Sequence, residues 1–438
     1  MPIYFADLNG WVHPADVFIS LHSADENSFW LDRETHPTER FSVIGGTTRV
    51  YESTDAFGLM RSNITGVSAS TEPDLGFAFR PGLVGFVDFE GGAKFMHVDR
   101  AMVFDHDNKM MHFVGEFDNQ KDFDAWHHAA LLRLALCGGE QAAYRLNNQA
   151  LTATKASVRH ADEEYLQLIE RAQSHIAAGD VYQLCLTNQI SLSVDGDGLL
   201  TFLNLRETNP APFAAFLKFG GQCVISCSPE QFIKVEADGK ISSKPIKGTR
   251  RRDADPAVDA AIADELRTDE KERAENLMIV DLMRNDFGRV AQPESIRVDK
   301  LFDVESYASV HQLVSTVEAK LSAGNTAADA FEAAFPGGSM TGAPKHRAVQ
   351  LIGELENLTP SQSGRGVYSG AIGFLTHGGV ADFSMTIRTI VVNGPSATIG
   401  VGGGITIDSH PVKELEETKL KAAALLRALD APDPWASA

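Results

Sequence analysis

The chain has 438 residues, well beyond the size of one small core, so we expect two domains or one large unit. Its apolar content of 43% and charged content of 22% are typical of a soluble globular protein. The formal net charge of -20 argues against nucleic acid or an anionic membrane as a partner, because both would be repelled. An anionic small substrate would need a local cluster of Arg, Lys, backbone amides or a metal ion.

Cysteine usage and the N-terminus predict a cytoplasmic protein without a membrane partner. The four cysteines are too few and too scattered for a disulfide framework: Cys137, Cys185, Cys223 and Cys227. No run of 18 apolar residues occurs, and Asp7 interrupts the stretch where a signal sequence needs an uncharged core.

The first part of the chain is predicted to be a β-rich subdomain. Residues 1–155 alternate short strand-like runs with turns, and a helix is predicted over 123–136. Residues 152–159 carry no periodic apolar pattern and are predicted as a linker. The chain is therefore divided into an N-terminal subdomain, 1–155, and a catalytic domain, 156–432.

The second part opens with a helix ending at Gly179 and a strand over 181–194. Gln183 lies near the start of that strand, just after a turn, where its side chain can face a cleft. A further helix reaches residue 207, and strands follow at 213–219 and 223–226.

The segment Pro-Ile-Lys-Gly-Thr, residues 245–249, presents Lys247 on a backbone held by proline. A free lysine has a pKa near ~10.4, so it attacks as a nucleophile only where its surroundings favour the neutral amine. Nearby residues supply cations that favour it: Lys244, Arg250, Arg251 and Arg252. The alternative is that residues 244–252 form a solvated basic turn.

Two pairs of glutamates share a spacing of three residues on predicted helices: Glu272 with Glu275, and Glu414 with Glu417. This spacing places both carboxylates of a pair on one helix face. Magnesium is usually held by a few carboxylates, with substrate oxygens and water completing its shell. The alternative is two solvated helix faces.

A glycine-rich segment, residues 336–345, ends one helix and opens another near His346. Its small residues let the backbone approach a ligand, while the Thr341 hydroxyl, Lys345 and amides at the helix N-terminus could hold a carboxylate or phosphate. It is neither a P-loop nor a dinucleotide-binding fingerprint.

Strands are predicted over 367–375, with Tyr368, and over 382–392, with Arg388. A guanidinium within an apolar strand is either ion-paired in the core or aimed at an anionic ligand. The run Gly402-Gly403-Gly404 follows a strand and is predicted to turn consecutive amides toward an anion. Together these features predict an anion-binding site in which a divalent cation bridges the glutamates to the substrate.

Six segments resemble the chorismate-utilising enzymes, in the same order and over about residues 160–430: 245–250, 274–290 (AENLMIVDLMRNDFGRV), 336–345, 368–375 (YSGAIGFL), 386–389 (TIRT) and 402–421. The resemblance implies an α+β fold of large antiparallel β-sheets packed face to face with helices outside.

Within that family, Lys247 matches the lysine of the branch that makes aminodeoxychorismate, where the anthranilate synthase large subunit usually has alanine. Gln183 stands where the water-adding branches place a lysine. The resemblance thus implies conversion of chorismate and ammonia to 4-amino-4-deoxychorismate, for 4-aminobenzoate and folate synthesis. Lys247 attacks ring carbon C2 as the C4 hydroxyl leaves, and ammonia then adds at C4.

The resemblance also implies the roles of the other residues. Magnesium links a chorismate carboxylate to Glu275 and Glu417, while Glu272 and Glu414 orient its waters. The catalytic residues are Lys247, Thr249, Gln183 and Lys345. The residues that bind the substrate are Thr341, Gly342, Tyr368, Arg388, Gly402, Gly403 and Lys421.

These motifs identify neither the source of ammonia nor the general acid. The chain has no Gly-x-Cys-x-Gly nucleophile elbow, so a separate glutamine amidotransferase subunit is implied, with free ammonium as a substitute. Gln312 stands where the family commonly has a histidine, and His311 beside it would point to the opposite face of a strand. Lys345 or a water bound to the metal remains as the acid.

Two rival interpretations stay open. Anthranilate synthase component I adds ammonia at C2 and eliminates pyruvate, and Lys247 is the feature against it. A non-catalytic ligand-binding protein on the same scaffold is the other, and the presence of four glutamates together with Lys247 argues against it.

Overall fold

A computed structural model describes residues 1–65, 75–307, 310–356 and 364–436. The described residues form two large antiparallel sheets packed face to face, with helices on the outer faces. This arrangement confirms the α+β fold expected from the sequence.

The helices are α1 (Pro14–His22), α2 (Ala56–Asn63), α3 (Gln120–Leu134), α4 (Glu140–Asn147), α5 (Asp162–Ala177), α6 (Gly198–Thr208), α7 (Pro256–Thr268), α8 (Glu270–Gly288), α9 (Ala327–Ala334), α10 (Lys345–Leu355) and α11 (Pro411–Ala428). The strands are β1 (Ile3–Leu8), β2 (Asn27–Asp32), β3 (Phe41–Gly46), β4 (Val50–Ser53), β5 (Gly82–Val87), β6 (Ala93–Val98), β7 (Arg100–Asp105), β8 (Met110–Glu116), β9 (Thr152–Val158), β10 (Gln183–Asp195), β11 (Phe213–Phe219), β12 (Gln222–Ser228), β13 (Gln231–Val235), β14 (Lys240–Ser243), β15 (Ile246–Arg251), β16 (Arg297–Ser306), β17 (Val310–Lys320), β18 (Gly342–Ala343), β19 (Ala371–Thr376), β20 (Ala381–Met385), β21 (Thr389–Asn393) and β22 (Ser396–Ile405).

Both sheets combine strands from before and after residue 155. The first has the order β1-β8-β7-β3-β2-β11-β12-β21-β22-β10-β18, with β9 on β10. The second has the order β15-β17-β14-β13-β20-β19-β5-β6-β4, with β16 on β17. The N-terminal residues therefore belong to the same assembly as the predicted catalytic residues, and the boundary at 155 stays a prediction.

The core has an inner layer and two outer layers. Phe29, Val84 and Phe374 belong to the cluster between the sheets, whereas Trp30 packs with helix residues such as Phe18 on the outer face of the first sheet. The strand β2 is buried along its whole length, because successive side chains enter the two layers in turn. Burying one such aromatic side chain contributes roughly 1.5–3 kcal/mol.

Two sequence-based assignments are wrong. Residues 152–159 are not a linker, since β9 pairs with β10 there. This strand is largely exposed, so it lacks the apolar pattern of a buried strand and is held by backbone hydrogen bonds. The predicted strand 382–392 is two strands in different sheets, β20 and β21, divided at Arg388, where φ is 51°.

No helix within the described residues is both long and apolar enough to cross a bilayer. The four cysteines are all free, so no disulfide contributes to the fold.

Candidate active site

Lys247 lies within the strand β15, which pairs with β17. The pairing shifts between Lys247 and Thr249, where Gly248 adopts a φ of 71°. A side chain at Gly248 would meet Leu266 and Glu272 at 2.8 and 2.9 Å. Glycine therefore allows β15 to press against α7 and α8 and to hold the lysine on a rigid backbone, as predicted.

The Lys247 ammonium is held by a carboxylate. Its Nζ lies 3.4 Å from Glu275 Oε2, and the two side chains are 13% and 11% exposed. Burial opposes the charge, but the Glu275 carboxylate outweighs it and the pKa of Lys247 is raised. Before it can attack, this amine must therefore lose a proton.

Three of the four cations predicted to favour a neutral Lys247 are paired elsewhere. Lys244 Nζ lies 3.3 Å from Glu305, Arg250 contacts Asp269 at 3.0 Å, and Arg252 contacts Asp259 at 2.6 Å. Their charges are neutralised locally, so the prediction that they lower the lysine pKa is wrong.

Gln183 and Lys247 converge over Gly404. The strands β10 and β22 are antiparallel, with Cys185 opposite Gly404, so Gln183 at the end of β10 reaches the last glycine of the run. A Cβ at Gly404 would lie 2.2 Å from Gln183 Nε2 and 3.2 Å from Lys247 Nζ. Gln183 Oε1 is buried and has no hydrogen-bond partner among the described residues. This juxtaposition is the centre of the candidate site.

The four predicted glutamates lie on α8 and α11, and each contacts a cation. Lys271 Nζ is 3.8 Å from both Glu275 Oε1 and Glu414 Oε1, and so links the two helices. The other two pairs are Glu272 with Arg250, at 3.4 Å, and Glu417 with Lys421, at 2.8 Å.

The donor chemistry of this cluster fits magnesium that takes its remaining ligands from substrate and water. Burial and the neighbouring charge of Glu275 raise the pKa of Glu272, so negative charge is in excess there. No three His, Cys, Asp or Glu side chains in the described part of the chain are close enough to hold a metal alone. Magnesium commonly needs only one or two carboxylates. The assignment of Glu275 and Glu417 as its ligands stays a prediction.

Gly402 and Gly403 do not form the predicted nest of amides after a strand. They lie inside β22, opposite Thr187 and Leu186 of β10, and neither has a positive φ. A nest needs a left-handed residue, and the pairing with β10 keeps this backbone extended. Lys421 Nζ nevertheless donates to Gly402 O at 2.9 Å, so these glycines adjoin the α11 glutamates.

The backbone of the glycine-rich segment, residues 336–345, pairs with the start of β10 at Gln183. Residues Gly338–Met340 form a short 3-10 helix, followed by β18 and by α10, whose start at Lys345 agrees with the prediction. Thr341 donates its hydroxyl to Gly337 O at 3.0 Å and accepts from Cys185 N at 2.7 Å. A Cβ on Gly342 would lie 2.1 Å from Gln183 O. Thr341 and Gly342 thus fix the end of β10, but the hydroxyl predicted to meet the substrate is used within the loop.

Lys345 is part of an ion pair at the start of α10. Its Nζ lies 2.6 Å from Asp286 Oδ2 and donates to Ala334 O. Burial lowers the pKa of Lys345 despite the Asp286 carboxylate. These contacts hold its ammonium, and its catalytic role stays a prediction.

Tyr368 and Arg388 carry polar groups that have no partner among the described residues. The Tyr368 ring packs against Gly400, where a Cβ would lie 2.0 Å from the ring. Neither the Tyr368 hydroxyl nor the half-buried Arg388 guanidinium makes a hydrogen bond or ion pair with a described residue. Burial lowers the pKa of Arg388. Arg388 lies in a bend rather than a strand, and its contact with an anionic ligand stays a prediction.

Gln312 stands where the family commonly has a histidine, and its side chain points away from that of His311, as the strand alternation predicted. Gln312 Nε2 lies 3.5 Å from the hydroxyl of the exposed Thr249. His311 faces the opposite side, where it contacts Asp259 at 2.9 Å and Ser306 at 2.8 Å. His311 therefore does not replace the missing side chain.

Glu230 is a site residue that sequence reasoning missed. It lies between β12 and β13, directly before Gln231, and is 7% exposed. Burial raises its pKa to about 7, against the opposing effects of a hydrogen bond from Ser339 and the charge of Lys247. A carboxyl that holds its proton near neutral pH beside the lysine can act as a general acid. The only signal in the sequence is an acidic residue between two apolar strands.

A second missed feature is the pair Arg365–Glu356. Arg365 Nη2 contacts Glu356 Oε1 at 2.5 Å and Cys185 O at 2.7 Å, and Nη1 donates to Met340 O at 2.7 Å. It thus ties β10 to the glycine-rich segment. A cavity of about 580 Å³ opens beside Arg365, but none of the predicted site residues line it.

The two packed sheets and the convergent lysine, glutamine and glutamates define an α+β enzyme site for a small anion. A family model described as chorismate binding enzyme matches residues 78–427. The chain belongs to this family, and the resemblance to the chorismate-utilising enzymes is confirmed.

The chain is 40% identical to the aminodeoxychorismate synthase of Streptomyces griseus, over 95% of the chain and 63% of that relative. It is 36% identical to aminodeoxychorismate synthase component 1 of Klebsiella aerogenes, over 88% of the chain and 85% of the relative. With anthranilate synthase component 1 of Streptomyces coelicolor the identity is 34%, over 98% and 89%.

Several of these relatives are longer than the chain, which spans 63% and 52% of the aminodeoxychorismate synthases of Streptomyces griseus and Streptomyces pristinaespiralis. Among solved structures, anthranilate synthase component I of Streptococcus pneumoniae superposes with a TM-score of 0.74 and 27% identity, over 96% of the chain and 92% of that protein.

Proposed function

We propose that the chain is the chorismate-aminating component of an aminodeoxychorismate synthase. It would replace the C4 hydroxyl of chorismate with an amine and leave the pyruvyl group on the ring. The observation that carries this proposal is the convergence of Lys247 and Gln183 over Gly404, next to a cluster of glutamates. Similarity to aminodeoxychorismate synthases over most of the chain supports it.

The proposed chemistry uses Lys247 as a nucleophile. Its neutral amine forms a bond to C2, both ring double bonds shift by one position, and the C4 hydroxyl departs as water with a proton from Glu230. Ammonia then forms a bond to C4, both double bonds shift back, and the Lys247 amine leaves with the electron pair of its bond to C2. The added nitrogen returns a proton to Glu230. Both steps conserve electrons, so no oxidant or reductant is needed. The pKa of Glu230, raised to about 7, is matched to giving a proton at neutral pH.

Binding of chorismate requires partners for two carboxylates. Glu275, together with Glu414 or Glu417, would hold magnesium, which would supply the positive charge for one of these carboxylates. Arg388 and Tyr368, whose polar groups lack partners among the described residues, are the proposed contacts of the other. Lys421, which contacts Gly402 O and Glu417, adds a further cation at the same edge.

Gln183 would exclude water as the reacting nucleophile. Its amide cannot take a proton from water at neutral pH, whereas ammonia needs no such activation. Its unpartnered Oε1 is a hydrogen-bond acceptor that suits an incoming ammonia molecule. We propose that this ammonia comes from a separate glutamine amidotransferase subunit, in keeping with relatives named component 1.

Product identification tests the function. The purified chain is incubated with chorismate, magnesium and ammonium at mildly alkaline pH, and the products are analysed by mass spectrometry. The expected product retains the pyruvyl group and carries an amine in place of one hydroxyl. Anthranilate with free pyruvate would instead establish the second candidate, an anthranilate synthase component. No conversion in the presence of all three reagents would favour a binding protein.

A further inference from the structure

We propose that Lys271 is a built-in cation that occupies the position between Glu275 and Glu414 until a divalent ion replaces it. The lysine would thereby set how tightly the chain binds magnesium. This inference rests on the proposed function, because it requires that the glutamate cluster binds the ion.

The geometry places one ammonium against two helices. Lys271 is the second residue of α8, and Glu275 lies four residues later on the same face. Glu414 is in the first turn of α11, and Lys271 Nζ is 3.8 Å from one oxygen of each carboxylate. The lysine side chain is 56% exposed, whereas those of Glu275 and Glu414 are 11% and 7% exposed. The cation therefore reaches in from solvent over two nearly buried carboxylates.

These contacts are loose. A distance of 3.8 Å is too long for a hydrogen bond, and Lys271 donates none to a described residue. The lysine end of each pair is exposed, so water can solvate the ammonium once it leaves the carboxylates. Magnesium carries twice the charge and approaches oxygens to about 2.0–2.1 Å. The exchange of this ammonium for magnesium is therefore favourable.

The other cations of the cluster are less free to leave. Lys247 is enclosed, Lys421 also donates to Gly402 O, and Arg250 also contacts Glu265 and Asp269. Within the described ranges Lys271 makes ion pairs only with Glu275 and Glu414, and the longer-range attraction of Glu417 and Glu272 would act on a magnesium ion as well. Displacing it costs no other contact, so it is the cation that incoming magnesium would replace.

The experiment compares four forms of the full chain after treatment with a chelator: wild type, Lys271→Met, Lys271→Arg and Lys413→Met. Lys413 is the matched control, because it is an exposed lysine beside Glu414 that makes no ion pair with a described residue. Magnesium chloride is titrated into each protein by isothermal calorimetry. We expect Lys271→Met to bind magnesium about threefold to tenfold more tightly, while Lys271→Arg and Lys413→Met stay near wild type.

A second readout is the melting temperature with chelator and with saturating magnesium. Lys271→Met should melt lower than wild type in chelator, because the carboxylates then repel each other, and the difference should vanish with magnesium. Equal or weaker magnesium binding by Lys271→Met overturns the inference and leaves the metal site standing. If none of the four proteins binds magnesium, the proposed site fails and the inference fails with it.

Discussion

Two arrangements of carboxylates and cations flank the candidate site, and they differ in almost every respect. Arg365 and Glu356 are 1% and 0% exposed, and their closest atoms are 2.5 Å apart. Glu356 also accepts from Thr187 N and Oγ1, at 2.8 and 3.0 Å. In the glutamate cluster of α8 and α11, ion pairs range from 2.8 to 3.8 Å and side chains reach 56% exposure.

The buried pair fixes the geometry of the site, whereas the carboxylates of the open cluster can change partners. A buried pair keeps one geometry because removing either partner leaves an uncompensated charge. Arg365 uses this rigidity to fix Cys185 and Met340, the neighbours of Gln183 and Thr341. The open cluster has several cations within reach of the same carboxylates, so its partners can exchange when substrate and metal arrive.

The largest expected effect breaks the buried pair. Arg365→Met should lower the free energy of unfolding by about 3–5 kcal/mol, because Glu356 is left buried and charged. Arg297→Met is the control, since Arg297 is 64% exposed in its pair with Glu318 and should cost less than about 1 kcal/mol. Denaturant unfolding measures both. Similar losses of unfolding free energy in the two variants would show that the buried and the exposed ion pair do not differ in their contribution to stability.

A second prediction concerns Glu230, a buried carboxyl whose pKa is raised by burial despite the charge of Lys247. Burial raises the folded-state pKa of Glu230 to about 7, from an ordinary value near ~4.3. The protonated form is therefore favoured in the folded state. Its contribution, about 3–4 kcal/mol, is fully present below the ordinary pKa and is lost as pH rises toward 7.

Unfolding of wild type and Glu230→Gln at about pH 5 and about pH 8 measures this contribution. The variant should lack the wild-type loss of stability between the two, and its turnover should fall by about 100-fold or more because the acid is gone. An unchanged slope together with wild-type turnover would show that Glu230 has neither role.

The third prediction addresses the open cluster. Glu275→Ala should lower magnesium-dependent turnover by about 100-fold, because the carboxylate contacts both Lys247 and the proposed metal position. Glu416→Ala is the control, since Glu416 is exposed on α11 between Glu414 and Glu417 and has no ion pair with a described residue. Initial rates across magnesium concentrations provide the measurement. The same metal dependence in both variants would place magnesium elsewhere.

Much of this site follows from local pattern. The spacing of Glu272 and Glu275 predicts a shared helix face, and the strand alternation at His311 and Gln312 predicts opposite directions for the two side chains. Both depend on residues close in sequence, whose relative placement the backbone geometry determines. The structure agrees in both cases.

The features of the site that the sequence did not predict depend on residues distant in the chain. Glu230 is a single acidic residue whose character arises from burial by other segments. The glycines at 402 and 403 are extended because β10, over two hundred residues earlier, pairs with them. Arg250 and Arg252 were expected to lower the pKa of Lys247. In the fold they instead form ion pairs with Asp269 and Asp259.

The central claim is that the amine of Lys247 is the reacting group. The most direct test measures aminodeoxychorismate formation and chorismate binding for wild type, Lys247→Ala and the control Lys244→Ala, whose lysine pairs with Glu305 nearby. We predict that Lys247→Ala keeps chorismate affinity within a few-fold but loses product formation by about 100-fold or more, while Lys244→Ala stays near wild type. Wild-type product formation by Lys247→Ala would contradict the account.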